Sequence, residues 1–370
     1  MSDKRREDGE SPTPVLVVVP WLEGGGAQAV LEELIHRASP TPIRLVVLFG
    51  GCRDHEHVLE AADSYEEFDL PRTARGVLAA AWRIREEVRR SSRVFSLIRG
   101  SHVVLGMSCS RLLRDREFAA SFHQLPSTDR AGLRGRVEDM FCRRAIQQAD
   151  LVTTPAPRAR DELVQFGFCS PEQARFDPNP LASTFSATAP PRPVSRERLK
   201  LVFVGRLAEQ KGVDLLQTLL EQVDVPLDLD VYGTGELEHV VRALEAWDHP
   251  QVRVNYRGRS TDMVSVYDDA DAVLLPSRWE LNPMVVWEAW ARGRPVVASS
   301  IDVHRDLAAQ GPLWLFDDGS QLARVLRALT DVTCREAAFG EGISVTRDST
   351  NETAVERFIR TGPSAVEGLS

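Results

Sequence analysis

The sequence predicts an α/β chain built as two tandem parallel-sheet units. Three observations carry this. Short apolar runs alternate with helical stretches through most of the chain, which implies parallel strands joined by helical crossovers. A Pro- and Arg-rich segment, ATAPPRPVSRERLK (187–200), has no periodicity and interrupts the alternation, which then restarts. The length, 370 residues, suits two domains of roughly 150 residues each better than one.

Taken in order, residues 1–13 (MSDKRREDGESPT) are charged and lack the apolar core of a leader peptide, and read as a disordered tail. PVLVVVP (14–20) reads as a buried strand. The glycine run EGGGAQ and the helix AVLEELIHRA follow. IRLVVLFG (43–50) is a strand, ARGVLAAAWRIREEVRR (74–90) an amphipathic helix, and HVVLGMS (102–108) a further strand. RAIQQADLVTTPAPRARDELVQFGF continues the alternation. Residues 187–200 read as an interdomain linker. Beyond it LKLVFVG, LDLDVYG, VRVNYRG, DAVLLPS, RPVVAS and PLWLF are strands separated by helices, with SQLARVLRAL as a closing helix. The expected division is a first unit over 14–190, a second over 191–345, and a C-terminal segment, 346–370, of weak periodicity that could pack back on the first unit.

Composition narrows the function. Hydrophobic content of 43% with 27% charged residues is that of a globular protein. Net charge is −9, which disfavours non-specific nucleic-acid binding, so no nucleic-acid partner is expected. Only three of the 45 basic residues are lysines: Lys4, Lys200 and Lys211. The Arg bias suits a GC-rich bacterial genome. Five cysteines (Cys52, Cys109, Cys142, Cys169, Cys334) are odd in number and without CxxC spacing, so neither a disulfide framework nor a zinc knuckle is expected and a cytoplasmic setting fits. No run is long enough to span a membrane, so membrane contact is at most peripheral.

Two constellations point to chemistry. In VFVGRLAEQKGVDLL (202–216), Arg206 and Lys211 follow a strand, at the edge where open α/β sheets bind ligands. Both side chains suit phosphate oxygens, and the bland alternative is a solvated loop. In RWELNPMVVWEAWARGRPVVAS (278–299), Asn282 is a good N-cap, Pro283 suits the first helical position and Gly293 closes the helix. Glu280 then lies in the loop and Glu288 inside an apolar helix, where an unpaired charge is costly. Either a pair of sugar hydroxyls or a neighbouring Arg would satisfy Glu288. WLEGGGAQAVLEEL (21–34), with Gly25 and Gly26, could admit a ligand close to the backbone or be a plain turn. His123 in SFHQLPS is a lone histidine, more often structural than catalytic. DHEH (54–57) reads as a polar loop. VYGTGELE has Gly233 and Gly235 but Glu238 where a dinucleotide motif wants a third glycine. Asp228/Asp230 and Asp269/Asp271 have Asp-x-Asp spacing, but two tandem α/β units do not suit a metal-dependent transferase of the other fold.

GRLAEQKG, followed some seventy residues later by PSRWELNPMVVWEAWARGRPVVAS, resembles the signature of the retaining glycosyltransferases of family four, with their Glu-x7-Glu pair and GT-B fold. DADAVLLPS, GGGAQAVLEEL and DPNPLAST (177–184) resemble further segments of that family, so the likeness runs from about Pro14 to Leu329. It implies two Rossmann-like domains facing an interdomain cleft, the first for the acceptor and the second for the donor. It further implies that Arg206 and Lys211 hold the donor diphosphate, Glu288 the ribose and Glu280 the donor sugar. The amides of Asn282, Pro283's neighbour Met284 and Val285 would face sugar and phosphates, Pro283 completing that turn. Arg259 in YRGR would lie near the base, His123 near the transferring sugar, and Gly25 and Gly26 near the phosphates. Catalytic roles would fall to Glu280, His123, Arg206 and Lys211. Transfer would be front-face with retention, from a UDP-, GDP- or dTDP-sugar to a small-molecule or lipid-linked glycan acceptor. No metal and no cofactor beyond the nucleotide sugar is implied. Departures are Leu281-Asn282-Pro283 for the usual Gly-Phe-Gly, Gln28 for a Glu, and SSIDVHRDL without glycines; they bear on sugar identity. A natural-product or envelope pathway fits. The alternatives are a non-catalytic nucleotide-sugar-binding scaffold, or a related epimerase or phosphorylase.

Overall fold

The computed structural model describes residues 13–22, 26–51, 56–127, 132–347 and 352–365. The chain divides into two compact units, one of residues 1–178 with 352–370 and one of Asn179–Asn351.

The first unit is a seven-stranded parallel sheet of β1 (Val15–Val19), β2 (Ile43–Phe49), β3 (Ser64–Leu70), β4 (Arg93–Leu97), β5 (Glu117–Ser121), β6 (Leu151–Thr154) and β7 (Ala174–Phe176), in the order β3-β2-β1-β4-β5-β6-β7. Every residue of β1 is buried and β2 nearly so, as expected of strands covered on both faces, while the edge strand β3 alternates. The strand order reverses between β1 and β4. That switch point opens a crevice at the carboxyl ends of the strands.

The helix Ala74–Arg90 has the predicted bounds. Thr73 caps it, accepting from the Gly76 amide, and Ala80, Ala81, Ile84 and Val88 face the core. HVVLGMS is a correction. These residues belong to the helix Arg99–Ser108, and the strand is RVFSL just before it. A short β-branched apolar run does not by itself separate a buried strand from a buried helix. Here Gly106 decides: a Cβ on it would lie 1.7 Å from the Phe141 carbonyl oxygen, so glycine lets this helix press against the helix Gly132–Ile146.

The C-terminal segment is ordered in the first unit as the helix Ala354–Thr361. Thr353 and Glu356 form a capping box. Asp177 accepts from the amides of Ala354 and Val355 at 2.8 and 3.0 Å, so its carboxylate sits on the helix N-terminus. Burial nevertheless pushes Asp177 up to about 6, against those two hydrogen bonds. Glu356 reaches Arg37 on the helix Gly26–Ala38.

The second unit is a six-stranded parallel sheet of β8 (Leu199–Val204), β9 (Leu227–Tyr232), β10 (Val252–Gly258), β11 (Ala272–Leu275), β12 (Val296–Ser299) and β13 (Leu313–Phe316), in the order β10-β9-β8-β11-β12-β13. It repeats the arrangement of the first, with its switch point between β8 and β11. One apolar layer gathers Leu201, Phe203 and Leu216 on one side of the sheet, and another gathers Val202, Val273 and Trp290.

The Pro-rich segment is not a free linker. The boundary between units falls at Pro178/Asn179, and the segment is strapped to the second unit by buried arginines. Arg292 donates to the carbonyls of Phe185 and Thr188 while its other edge pairs bidentately with Asp268; Arg294 donates to Pro191 and Arg335 to Val194. A coil without a ladder leaves carbonyls to be satisfied, and guanidinium forks do so here.

Candidate functional site

The second unit collects its polar chemistry at the carboxyl ends of β8, β9, β11 and β12. After β8 the chain turns through Gly205 and Arg206, and Lys211 ends a short 3-10 turn at Gly212. Gly212 has φ +67°, and a Cβ there would lie 2.1 Å from the Pro276 carbonyl oxygen. Only glycine admits both the conformation and the contact, which clamps this loop to the one leaving β11. Gly233, φ +137°, does the same after β9: a Cβ would lie 1.8 Å from the Gly205 oxygen.

The two loops are also stitched by side chains. Arg278 pairs bidentately with Asp214, both distances 2.7 Å, and donates to the Glu209 carbonyl. Gln210 accepts from Arg206 at 3.3 Å and donates to the Trp279 carbonyl at 3.1 Å. Within this frame Lys211 Nζ lies 2.6 Å from Glu280 Oε1, and Ser277 Oγ donates to the same carboxylate at 2.7 Å. Glu280 is only 8% exposed, so its charge is held by these two partners.

Glu288 lies inside the helix Met284–Ala291. Its hydrogen-bond partner among the described residues is not the arginine offered by the sequence: it is the Tyr267 hydroxyl, which donates at 2.6 Å. Burial raises Glu288 above the usual carboxylate range, the Tyr267 bond and the Lys211 charge opposing it. Lys211 therefore acts on both carboxylates, one in the loop and one a turn into the helix. The Tyr267 phenol is pushed well up by burial and by Glu288.

The helix start is corrected. Pro283 is the N-cap, without a side-chain capping bond, and the helix begins at Met284; Asn282 instead accepts from the Trp287 indole at 2.9 Å. A side chain committed to an indole one turn on cannot also cap. Gly293, φ +65°, closes the other end as expected. Arg259 is exposed after β10 and donates to Thr234 Oγ1, between the glycines of VYGTGELE. Those glycines serve loop packing, and Glu238 pairs with Arg242.

His123 and Gly26 belong to the first unit. Gly25 lies outside the described residues, as do Asp54 and His55. His123 follows β5, its Nε2 is 3.1 Å from Ser121 Oγ, and burial lowers its imidazole to about 4. The Asp-x-Asp pairs are consumed in ion pairs with Arg198, Lys200, Arg196 and Arg335. Among the described residues no cluster of His, Cys, Asp and Glu has the arrangement of a metal site.

Sequence reasoning missed Tyr267, Arg278 and His304. His304 follows β12, fully buried, with Nδ1 2.7 Å from the Ser299 carbonyl; Ser299 Oγ donates to the Ser277 carbonyl. Burial lowers its pKa, with the Glu280 charge raising it and Lys211 lowering it. His304 thus braces the segment that carries Glu280. No spacing announces a residue that reaches a site from another helix or loop.

Residues 198–331 match the family of glycosyl transferases group 1. A D-inositol 3-phosphate glycosyltransferase of Kineococcus radiotolerans is 28% identical over 360 residues, 84% of this chain and 80% of its own. A 41.2 kDa protein from the cps region of Klebsiella pneumoniae is 26% identical over 143 residues, 37% of this chain, and the aligned part spans 38% of that protein. Among solved structures, the Anabaena protein HepE in complex with UDP-glucose superposes with a TM-score of 0.76 at 16% identity, covering 96% of this chain and all of that one. This likeness, with the two sheet orders, shows the fold to be GT-B. No helix among the described residues is long and apolar enough to cross a membrane.

Proposed function

We propose that this chain, whose second unit carries a glycosyl transferases group 1 domain, moves a sugar from a nucleotide-sugar donor to an acceptor hydroxyl, in polysaccharide or glycolipid synthesis. The observation that carries the reading is the Lys211–Glu280 pair beside the Tyr267–Glu288 pair at the carboxyl ends of β8 and β11. A dinucleotide enzyme has no use for a cation shared by two carboxylates there.

In this reading Arg206 and Lys211 meet the charge of the donor diphosphate, and Lys211 releases part of its bond to Glu280 as phosphate oxygens arrive. Glu280 then accepts from donor-sugar hydroxyls. Glu288, already holding the Tyr267 hydroxyl, accepts from the ribose hydroxyls, whose donation offsets its buried charge. The first-turn amides at Met284 and Val285 add donors, since a helix start leaves such groups without intrahelical acceptors. Cationic stabilisation of the departing diphosphate lowers the barrier, and one of its oxygens takes the acceptor proton, giving retention without a resident metal. Arg259 contributes near the base. The parts of His123, Gly25 and Gly26 rest on the family resemblance alone.

UDP is the first donor base to try, because the Anabaena relative was solved with UDP-glucose. The test is calorimetric titration with UDP, GDP and dTDP, followed by assays for nucleoside diphosphate release. One diphosphate should bind, its affinity should fall about 10- to 100-fold in Lys211→Met, as loss of a charge-assisted bond requires, and release from the matching nucleotide sugar should need an acceptor. Binding of none of the three sinks the proposal. Turnover without an acceptor would favour an epimerase.

A further inference from the structure

The first unit carries its own crevice at the β1/β4 switch point, and its chemistry is the reverse of the second unit's. A cavity of about 1140 Å³ opens there, large enough for a drug-sized molecule. Phe49, Val77, Val104, Met107 and Phe141 form its walls. Of the charged residues that line it, Arg99 donates through Nη2 to Asp139 at 2.6 Å, the Arg72 guanidinium stacks 4.6 Å above the Trp21 ring, and Glu138 stands beside them. At the mouth Leu78 and Val137 are 59% and 45% exposed, an apolar rim where a polar one would carry no cost.

A second observation marks the cavity as a site. Ile98, which lines it at the end of β4, has φ +69°. A β-branched residue in that region is a genuine outlier, and such strain gathers where a fold holds a ligand. Its amide still donates to the Ser121 carbonyl at 3.1 Å, so the backbone is held there and not merely loose.

We infer that this cavity binds an alkyl or aryl group of the acceptor, so that the acceptor class is an apolar-tailed alcohol and not a free polyol or sugar phosphate. The inference rests on the glycosyltransferase reading for the word acceptor, but the binding itself does not. The rim and walls are mostly aliphatic and aromatic, and burial of each methylene strengthens binding by up to about fourfold.

The experiment is calorimetric titration of the full chain with n-alkyl glucosides from hexyl to decyl, below their micelle concentrations, and with phenyl and naphthyl glucosides, against glucose and inositol. Saturable binding that tightens with each methylene assigns a flexible chain; binding confined to the aryl series assigns a ring; either supports the proposal. Leu78→Asp and Val137→Glu change exposed residues, so both variants should fold, and each should weaken that binding at least tenfold while leaving UDP affinity unchanged. Failure of both series to bind a protein that binds UDP overturns the proposal and leaves the transferase reading standing. Alkyl binding to a protein that binds no nucleoside diphosphate keeps the cavity and removes the transferase reading. Glucose or inositol binding as tightly as octyl glucoside, or octyl glucoside binding equally to Val137→Glu, overturns the proposal.

Discussion

Lys211 Nζ and Glu280 Oε1, 69 residues apart in sequence, stand 2.6 Å from each other, and both side chains are largely buried. The pair joins the loop after β8 to the loop after β11, so it is at once a structural tie and the point where a diphosphate would compete for the cation.

That dual role separates stability from binding. Removing one member leaves a buried charge without its main partner, and about 3 kcal/mol of stability should be lost in Lys211→Met and in Glu280→Gln. The double variant should recover much of this, with a coupling of about 1–3 kcal/mol in the cycle, while UDP affinity stays as low as in Lys211→Met alone. Urea midpoints and UDP titrations on the four proteins check it. Additive losses would show that the pair is not a unit.

Glu288 carries a sign that can be worked out. Its folded pKa is raised, so the folded state favours the proton. Its contribution to stability is fully present below the unfolded carboxylate pKa and declines as pH rises through the folded one. A ribose donating to the carboxylate binds the ionised form, so UDP affinity should rise as pH climbs through the folded pKa. Glu288→Gln should flatten that rise. Tyr267→Phe removes the donor that opposes the shift and should move the rise to higher pH, at a cost of about 1–3 kcal/mol in stability. A pH profile of UDP affinity identical in all three proteins would exclude Glu288 from the nucleotide site.

Asp177 offers a second pH test, within the first unit. Its folded pKa is about 6 against an ordinary value of 3.8, again raised, so stability falls as pH rises across that window. Integrated from pH 5 to 7.5, this amounts to about 1.4 kcal/mol. His102 and His123 act oppositely, because burial lowers them to about 3 and about 4 and their contribution is lost on acidification. Comparison with Asp177→Asn isolates the aspartate: the variant should gain about 1–2 kcal/mol relative to the parent between pH 5 and 7.5, read from urea midpoints. No change in that difference would place Asp177 in a more solvated setting.

The strands were readable wherever burial on both faces writes an unbroken apolar run, as in VLVVV. The helix 74–90 was readable because its apolar positions fall on one face. HVVLGMS was misread because its run is equally apolar in either state; the glycine that settles it acts on a helix 35 residues away. The capping box Thr353–Glu356 was legible in TAVE, yet eight helical residues give too little periodicity to stand out. At the site, Lys211 showed as a cation following a strand, Glu280 as a loop carboxylate and Glu288 as a charge where charge is costly. Tyr267 and His304 did not, since each looks like ordinary core until the sheet brings three strands to one edge. The apolar cavity of the first unit has no linear signature, being a gap between separately encoded elements.

Asp177 reaches the amides of a helix that begins 177 residues later. The first unit is therefore interrupted in the order of synthesis: its sheet emerges early, and the piece that seats on Asp177 and Arg37 emerges after the whole second unit. During translation the aspartate has no helix to accept from, and the early part of the chain cannot reach its final stability before residues 354–361 have been made. The sheet that emerges first thus belongs to the unit that is completed second.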